Sequence, residues 1–319
     1  MAQFDGVKVS NTEASRFAGT ILDNLCSGEI LGNLSEFIVN TTGLAHENNM
    51  KQLCIVCVVN AKYERFIPIF ALSIFRAYPD YAVRIYIQDQ LSRKIQRAVD
   101  MVREEGSLEI VPNCLDGYPN TPQVFKSLRW VLHDEVFSDY EHLYFGDIDM
   151  FMCRETPSLL DFHVDRCIRV GLPYSNVVRP DSERLSGLHF VITKPYFEGT
   201  LETIRQYDEM LKQDRLTLAD KGGNEKLLYE MMMKSIGLPP PCTKEEFGKQ
   251  RPHHGIHLGL WRGRFSKQAP SPWMSRDQHA DFFSQFMQIY ECPRGKQVFQ
   301  LCRAPEVKRM SKQYRLHLS

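Results

Sequence analysis

Leu53-Cys54-Ile55-Val56-Cys57-Val58-Val59 is an unbroken apolar run with strong β-branched character. A strand covered on one face alternates apolar and polar residues. A run with no polar face belongs to a strand buried on both sides, as in a parallel sheet. The same grammar repeats outward from it. Phe66 to Tyr78 predicts a helix stopped by Pro79, and Ala82 to Ile87 a second strand. Leu91 to Glu105 predicts an amphipathic helix ended by Gly106, and Leu108 to Val111 a third strand. Val124 to Phe137 predicts a helix, and His142 to Phe145 a fourth strand running into Gly146-Asp147-Ile148-Asp149. Repeated β–α alternation argues for a mainly parallel α/β sheet flanked by helices. Ligands of such sheets bind beyond the carboxyl ends of the strands. Further on, Cys167 to Leu172 and Leu188 to Thr193 read as strands, and Tyr196 to Gln213 and Asn224 to Ile236 as helices.

Composition excludes several classes. The chain has 319 residues, 43% of them hydrophobic, with 39 basic and 39 acidic side chains. That is too apolar and too balanced for a disordered chain, and it lacks the basic footprint of a nucleic-acid binder. The longest apolar run, Ile67 to Phe75, falls well short of the roughly 18–20 residues of a membrane span. No secretory signal is visible at the start, and nine scattered cysteines fit a reducing compartment. A cytoplasmic location is therefore expected. Cys54 and Cys57, three apart on a strand, point to opposite faces and read as core residues. The expected organisation is a helical arm over residues 1–50, one domain over 51–264, and a basic extension over 265–319. That extension holds Arg294, Lys296, Arg303, Lys308, Arg309, Lys312 and Arg315 against Glu306, which reads as a solvated face or as a surface for peripheral contact with an anionic membrane.

Four groups of residues could carry chemistry. Asp147 and Asp149, two apart on an extended chain, point to one side after a strand, where paired carboxylates suit a hard divalent cation. A solvated loop is the other reading. Asn60 and Tyr63 follow the first strand, where an amide can bond a base or ribose and a phenol ring can stack; Asn60 also reads as a helix cap. Glu225 opens a helix whose Leu228 and Met232 share its face, so its carboxylate points inward; stabilisation of the helix dipole is the alternative. Arg251 to Arg264 gathers His253, His254 and His257 with Arg262 and Arg264 among glycines, a composition for metal and phosphate.

Together these residues resemble the GT-A fold glycosyltransferases, closest to the glycogenin-like glycosyltransferase family 8. Val59-Asn60-Ala61-Lys62-Tyr63 is similar to the family's opening segment, and Arg129 or Lys126 to its basic residue upstream of the metal motif. Leu143-Tyr144-Phe145-Gly146-Asp147-Ile148-Asp149 matches its strand ending in DxD. Ser186-Gly187-Leu188-His189-Phe190-Val191-Ile192-Thr193-Lys194-Pro195 and Gly223-Asn224-Glu225 match later segments. His257-Leu258-Gly259-Leu260-Trp261-Arg262 matches the closing His-x-x-Gly-x-x-Lys loosely, with Gly two residues on and Arg where Lys is usual. The resemblance covers roughly residues 52–264. It implies a GT-A type Rossmann-like domain that moves a sugar from a nucleotide diphosphate, expected to be UDP-linked, to a hydroxyl of a glycan, glycoconjugate or protein, with retention. It implies Mn²⁺ or Mg²⁺ on Asp147, Asp149 and His257, phosphate charge on Arg129, Arg262 or Arg264, and Glu225 near the anomeric carbon. Two rivals stand beside it: a DxD phosphatase of the haloacid dehalogenase type, and a non-catalytic nucleotide-sugar-binding protein on a degenerate GT-A fold.

Overall fold

Lys51–Val59 (β1), Ala82–Ile87 (β2), Leu108–Val111 (β3) and Tyr140–Phe145 (β4) run parallel. His189–Ile192 (β7) pairs antiparallel with β4, and Tyr174–Ser175 (β6) antiparallel with β7. The sheet order is β3-β2-β1-β4-β7-β6. A second, two-stranded sheet joins Met150–Phe151 (β5) to Ile256–His257 (β8). The structure, a computed structural model, describes residues 50–216, 218, 222–245, 255–261 and 276–318. The chain divides into Met1–Asn49 and Met50–Ser319. The expected N-terminal arm lies outside the described residues, as do Arg251, His253, His254, Arg262 and Arg264.

The mainly parallel α/β class read from the sequence is the observed one. Leu53 through Cys57 have no solvent exposure, the burial that an all-apolar strand requires. Cys54 and Cys57 are free thiols, and burial pushes Cys54 up to about 12 and Cys57 well above its ordinary value. Ile67–Ala77 (α1) is buried at every position except Arg76. A helix apolar all round must be covered all round. Arg93–Arg103 (α2), Arg276–Glu291 (α7), Pro293–Cys302 (α8) and β5 lie against it.

Two expected elements are corrected. Cys167 to Leu172 is no strand: it ends a helix, Leu159–Val170 (α4). Ser158 caps that helix through the Asp161 amide, Leu159, His163 and Cys167 are buried at a four-residue period, and Gly171 closes it at φ +67°. The single helix expected over Val124 to Phe137 is instead Pro122–Ser127 (α3) followed by 3-10 turns at Leu128–Trp130 and Glu135–Asp139. Leu128, Trp130 and Val131 are all buried, and Trp130 lies off the helical face that Leu128 and Val131 would share.

The remaining helices are Thr193–Lys212 (α5), Gly223–Lys234 (α6) and Pro305–Leu318 (α9). The C-terminal helices are integrated: Arg294 bonds the Met101 carbonyl and pairs with Glu104. No helix among the described residues is long and apolar enough to cross a membrane.

One ionic network around the buried Arg84 ties the sheet to the segment after α3. The Arg84 guanidinium on β2 meets Glu109 on β3, lies 2.7 Å from Asp134, and bonds the Tyr86 hydroxyl at 2.8 Å. Burial pushes the Asp134 carboxyl up, but hydrogen bonds from Tyr86 and the Val136 amide, and then Arg84, outweigh it and hold it below the ordinary value. A depressed carboxyl contributes stability above its unfolded value of about 3.9 and loses it as pH falls through the folded value. Asp134→Asn should therefore cost roughly 1 kcal/mol at pH 7 after solvent screening of a partly exposed acid. The gap in melting temperature from the unaltered chain should narrow as pH is lowered toward about 3. A gap that is constant with pH would contradict this.

Candidate active site

β1 has β2 and β3 on one side and β4 on the other, so the order of strands reverses between β1 and β4. A crevice opens beyond the carboxyl ends of two such strands. Asn60 follows β1, and Gly146-Asp147 follows β4, with the Gly146 amide bonded to the Val56 carbonyl at 3.0 Å. Asn60 occupies the cap position of the 3-10 helix Ala61–Phe66 but makes no side-chain cap bond. Its Oδ1 is buried without a partner in the protein. The capping reading of Asn60 is thereby set aside. Tyr63 stands on the same turn, its amide bonded to the Asn60 carbonyl at 2.9 Å.

Arg129, not Lys126, faces this crevice; Lys126 is exposed. The break after α3 turns Arg129 inward. Its guanidinium lies 4.5 Å from the Trp130 ring centre and donates to Asp147 Oδ1 at 2.6 Å and to the Gly146 carbonyl at 3.3 Å. Stacking and two acceptors fix a planar fork that Lys lacks.

Asp149 is 7% exposed and immediately precedes β5 of the small sheet. β8 pairs with β5 so that His257 lies opposite Met150, and the Leu258 amide bonds the Asp149 carbonyl at 2.8 Å. His257 Nδ1 sits 3.8 Å from Asp149 Oδ2 and accepts from the Gly259 amide at 3.0 Å. Any side chain at Gly259 would push His257 and Asp149 aside. A Cβ there would stand 2.5 Å from His257 Cε1 and 2.8 Å from Asp149 Oδ2. The closing segment, loosely matched in sequence, thus brings one carboxylate and one imidazole to a shared gap.

Gly187 marks a second convergence. A Cβ there would lie 3.5 Å from Arg129 Nη2, 3.7 Å from Glu225 Oε1 and 3.9 Å from Asp147 Oδ2. Glu225, at the start of α6, points inward as its helical face implied. Its carboxylate takes a hydrogen bond from Arg179 at 2.6 Å and lies 3.7 Å from Arg184. Both arginines flank the tip of a hairpin over residues 176–186, closed by the Val178–Leu185 bridge. Buried Asn176 holds the hairpin base, accepting from the Val177 and Ser186 amides and donating to His189 Nδ1 at 2.9 Å. Burial lowers His189 to about 3, so it is neutral at pH 7. Sequence reasoning gave no role to Arg179, Arg184 or Asn176; two arginines bracketing Pro180-Asp181-Ser182-Glu183 were the available signal.

The site is therefore a row of paired charges: Arg179 and Arg184 with Glu225, Arg129 with Asp147, and Asp149 beside His257. Among the described residues no three His, Cys, Asp or Glu side chains are gathered as a ready cation site. Asp147 is turned to Arg129, while Asp149 and His257 face each other. A hard carboxylate oxygen and an imidazole nitrogen, with a gap that a methyl would fill, suit Mn²⁺ or Mg²⁺ as two protein ligands once His257 Nδ1 gives up the Gly259 amide.

No protein-family model and no curated protein matches the chain. Among solved structures it is similar to the glycosyltransferase GlyE of Streptococcus pneumoniae TIGR4, at 10% identity and a TM-score of 0.43, over 84% of this chain and 64% of GlyE. It is similar to the galactosyltransferase LgtC in complex with donor and acceptor sugar analogs, at 15% identity and 0.35, over 78% of this chain and 95% of LgtC. WbbM, a bifunctional glycosyltransferase, is matched at 12% identity and 0.41, over 84% and 52%. The chain thus spans less than two thirds of GlyE and about half of WbbM. At such identities and scores the likenesses carry no conclusion about activity.

The geometry makes one backbone position decisive. Gly255 has φ +76°, and a Cβ there would meet the Phe151 carbonyl oxygen at 2.2 Å and the Cys153 amide at 2.8 Å. Both neighbours are backbone and cannot give way. Gly255→Ala is expected to cost about 1–3 kcal/mol and to separate β8 from β5. The readouts are melting temperature and hydrogen exchange at the Leu258 amide, which should speed up as its bond to Asp149 is lost. Unchanged protection there would refute the assignment.

Proposed function

We propose that the chain is a glycosyltransferase of GT-A type, similar to family 8, moving a sugar from a nucleotide diphosphate donor, UDP-linked by the resemblance, to an acceptor hydroxyl on a glycan or glycoconjugate. The observation that supports this most is the meeting of Asp149 with His257, and of Arg129, Asp147 and Glu225 around Gly187, at the crevice where strand order reverses. That crevice is where a doubly wound sheet takes a nucleotide.

The chain's own residues divide the work. Asn60 offers a buried, unused acceptor to base or ribose, and Tyr63 on the same turn supplies a ring. Arg129 is preorganised to meet phosphate oxygens, which costs no reorganisation during the reaction; Arg262 adds positive charge in this reading. Asp149 and His257 would hold a divalent ion, with Asp147 as third ligand on release from Arg129. Such an ion, when bound, neutralises charge on a leaving diphosphate as a Lewis acid. Positive charge grows on the anomeric carbon as its bond to the diphosphate oxygen breaks. Glu225 faces that developing charge. Its tight pair with Arg179 suits a fixed electrostatic stabiliser better than a proton acceptor, which agrees with the retention implied by the resemblance.

The rivals differ in observables. A haloacid dehalogenase phosphatase carries its acids after the first strand, where this chain has Asn60; its aspartyl nucleophile would be trapped by fluoride–metal analogues. A non-catalytic binder would hold nucleotide sugar and release no nucleoside diphosphate under any acceptor screen.

Asp149→Asn, nearly isosteric, should lower metal-dependent release of nucleoside diphosphate by at least about 100-fold while the melting temperature stays close to that of the unaltered chain. Full turnover in Asp149→Asn at saturating donor and Mn²⁺ would end this reading.

The basic tail is proposed to touch an anionic membrane surface. Lys308 and Lys312 on α9 are exposed, and each basic residue near an anionic surface contributes about 1 kcal/mol. Lys308→Glu/Lys312→Glu should cut cosedimentation with phosphatidylserine vesicles by at least about tenfold at low salt. An unchanged bound fraction rejects the membrane contact.

A further inference from the structure

Glu306 is 3% exposed, which is exceptional for a carboxylate in a helix that otherwise carries exposed bases. Its Oε1 accepts from Arg65 Nη2 at 3.0 Å. Arg65 lies in the Ala61–Phe66 turn, two residues after Tyr63, with its guanidinium 4.9 Å from the Phe66 ring centre. The pair is buried on the Glu306 side alone, with 33% of the Arg65 side chain exposed; a half-exposed ion pair adds little net stability, so its placement asks for another explanation. α9 itself supplies one. Val307 and Met310 bury its inner face, and it packs against the Leu258–Trp261 turn that follows His257. One helix therefore touches both lips of the crevice: the β1 lip with Asn60 and Tyr63, and the β8 lip with His257 and Gly259.

We propose that α9 is a brace that sets the spacing of the two lips, and that Glu306 is the positioning residue that locks it through Arg65. The ion pair fixes the β1 lip to the helix, while the apolar contacts of α9 fix the β8 lip. A directional charge pair constrains the turn's orientation where an apolar contact would let it slide. This inference rests on the donor-site reading for its consequence, weaker donor binding, and stands apart from that reading for its cause, loosened lips.

The two can be tested separately. Three amides report on the lips: Tyr63, bonded to the Asn60 carbonyl; Leu258, bonded to the Asp149 carbonyl; and Gly259, bonded to His257 Nδ1. The Leu185 amide, bonded to the Glu225 carbonyl, reports on the far side of the crevice. In Glu306→Gln and in Arg65→Met, hydrogen exchange of full-length protein should quicken about tenfold at the first three and stay unchanged at Leu185. The double variant should be no worse than either single one, since both remove the same link. Calorimetric titration with UDP and Mn²⁺ should show about tenfold weaker binding in each. Exchange unchanged at the lips, or raised equally at Leu185, or additive losses in the double variant, would overturn the brace. Quickened exchange at the lips in both variants, together with no binding of UDP by the unaltered chain, would keep the brace and remove the donor reading.

Discussion

The two-residue ladder between β5 and β8 is the contact on which the site depends. Alone it is far too short to be stable. It exists because Gly255 lets β8 approach β5 backbone to backbone, and because Glu155 takes the Gly255 amide at 3.0 Å. Through that ladder a segment distant in sequence brings His257 to Asp149. The main sheet fixes where β4 ends, and the small sheet decides what meets it there.

Charge pairing is the second constraint. Six charged side chains converge on the crevice, Arg129, Arg179, Arg184, Asp147, Asp149 and Glu225, and each carboxylate is met by a cation or an imidazole. Acids brought this close without partners would repel and would pay for desolvation. The free state is thus balanced within the protein. A ligand that competes for Arg129 releases Asp147, so a diphosphate and a divalent ion would favour each other's binding without any large movement of the fold.

The central fold was legible because its physics is local. β1 from Leu53 on and β2 are covered on both faces, so their burial is written as apolar runs, and β3 and β4 keep such runs beside the exposed Glu109 and Glu141. The acids after β4 announced themselves by spacing and by place. Glu225 was readable from the helical face it shares with Leu228 and Met232, both buried. Other features left no periodic mark. β5, β6 and β8 are two residues each, too short to show alternation. α4 was misread because Cys167-Ile168-Arg169-Val170 is β-branched, while the decisive evidence was the Ser158 cap and Gly171 at its ends. Arg129 sits where a helix was expected to continue and a 3-10 turn is found instead, with Leu128, Trp130 and Val131 all buried. The Arg179–Glu225 and Arg65–Glu306 pairs are tertiary, and nothing in the spacing of those residues reveals them.

The claim that the crevice is a donor site coupled to a divalent ion is tested most directly by thermal denaturation of the full chain with a panel of nucleotide sugars, each with and without Mn²⁺. A ligand at 100 times its dissociation constant stabilises by about 2.7 kcal/mol. The account predicts that a uridine diphosphate sugar raises the melting temperature with Mn²⁺ present and does so weakly without it. A shift of equal size with and without the ion, or no shift with any nucleotide sugar, would contradict it.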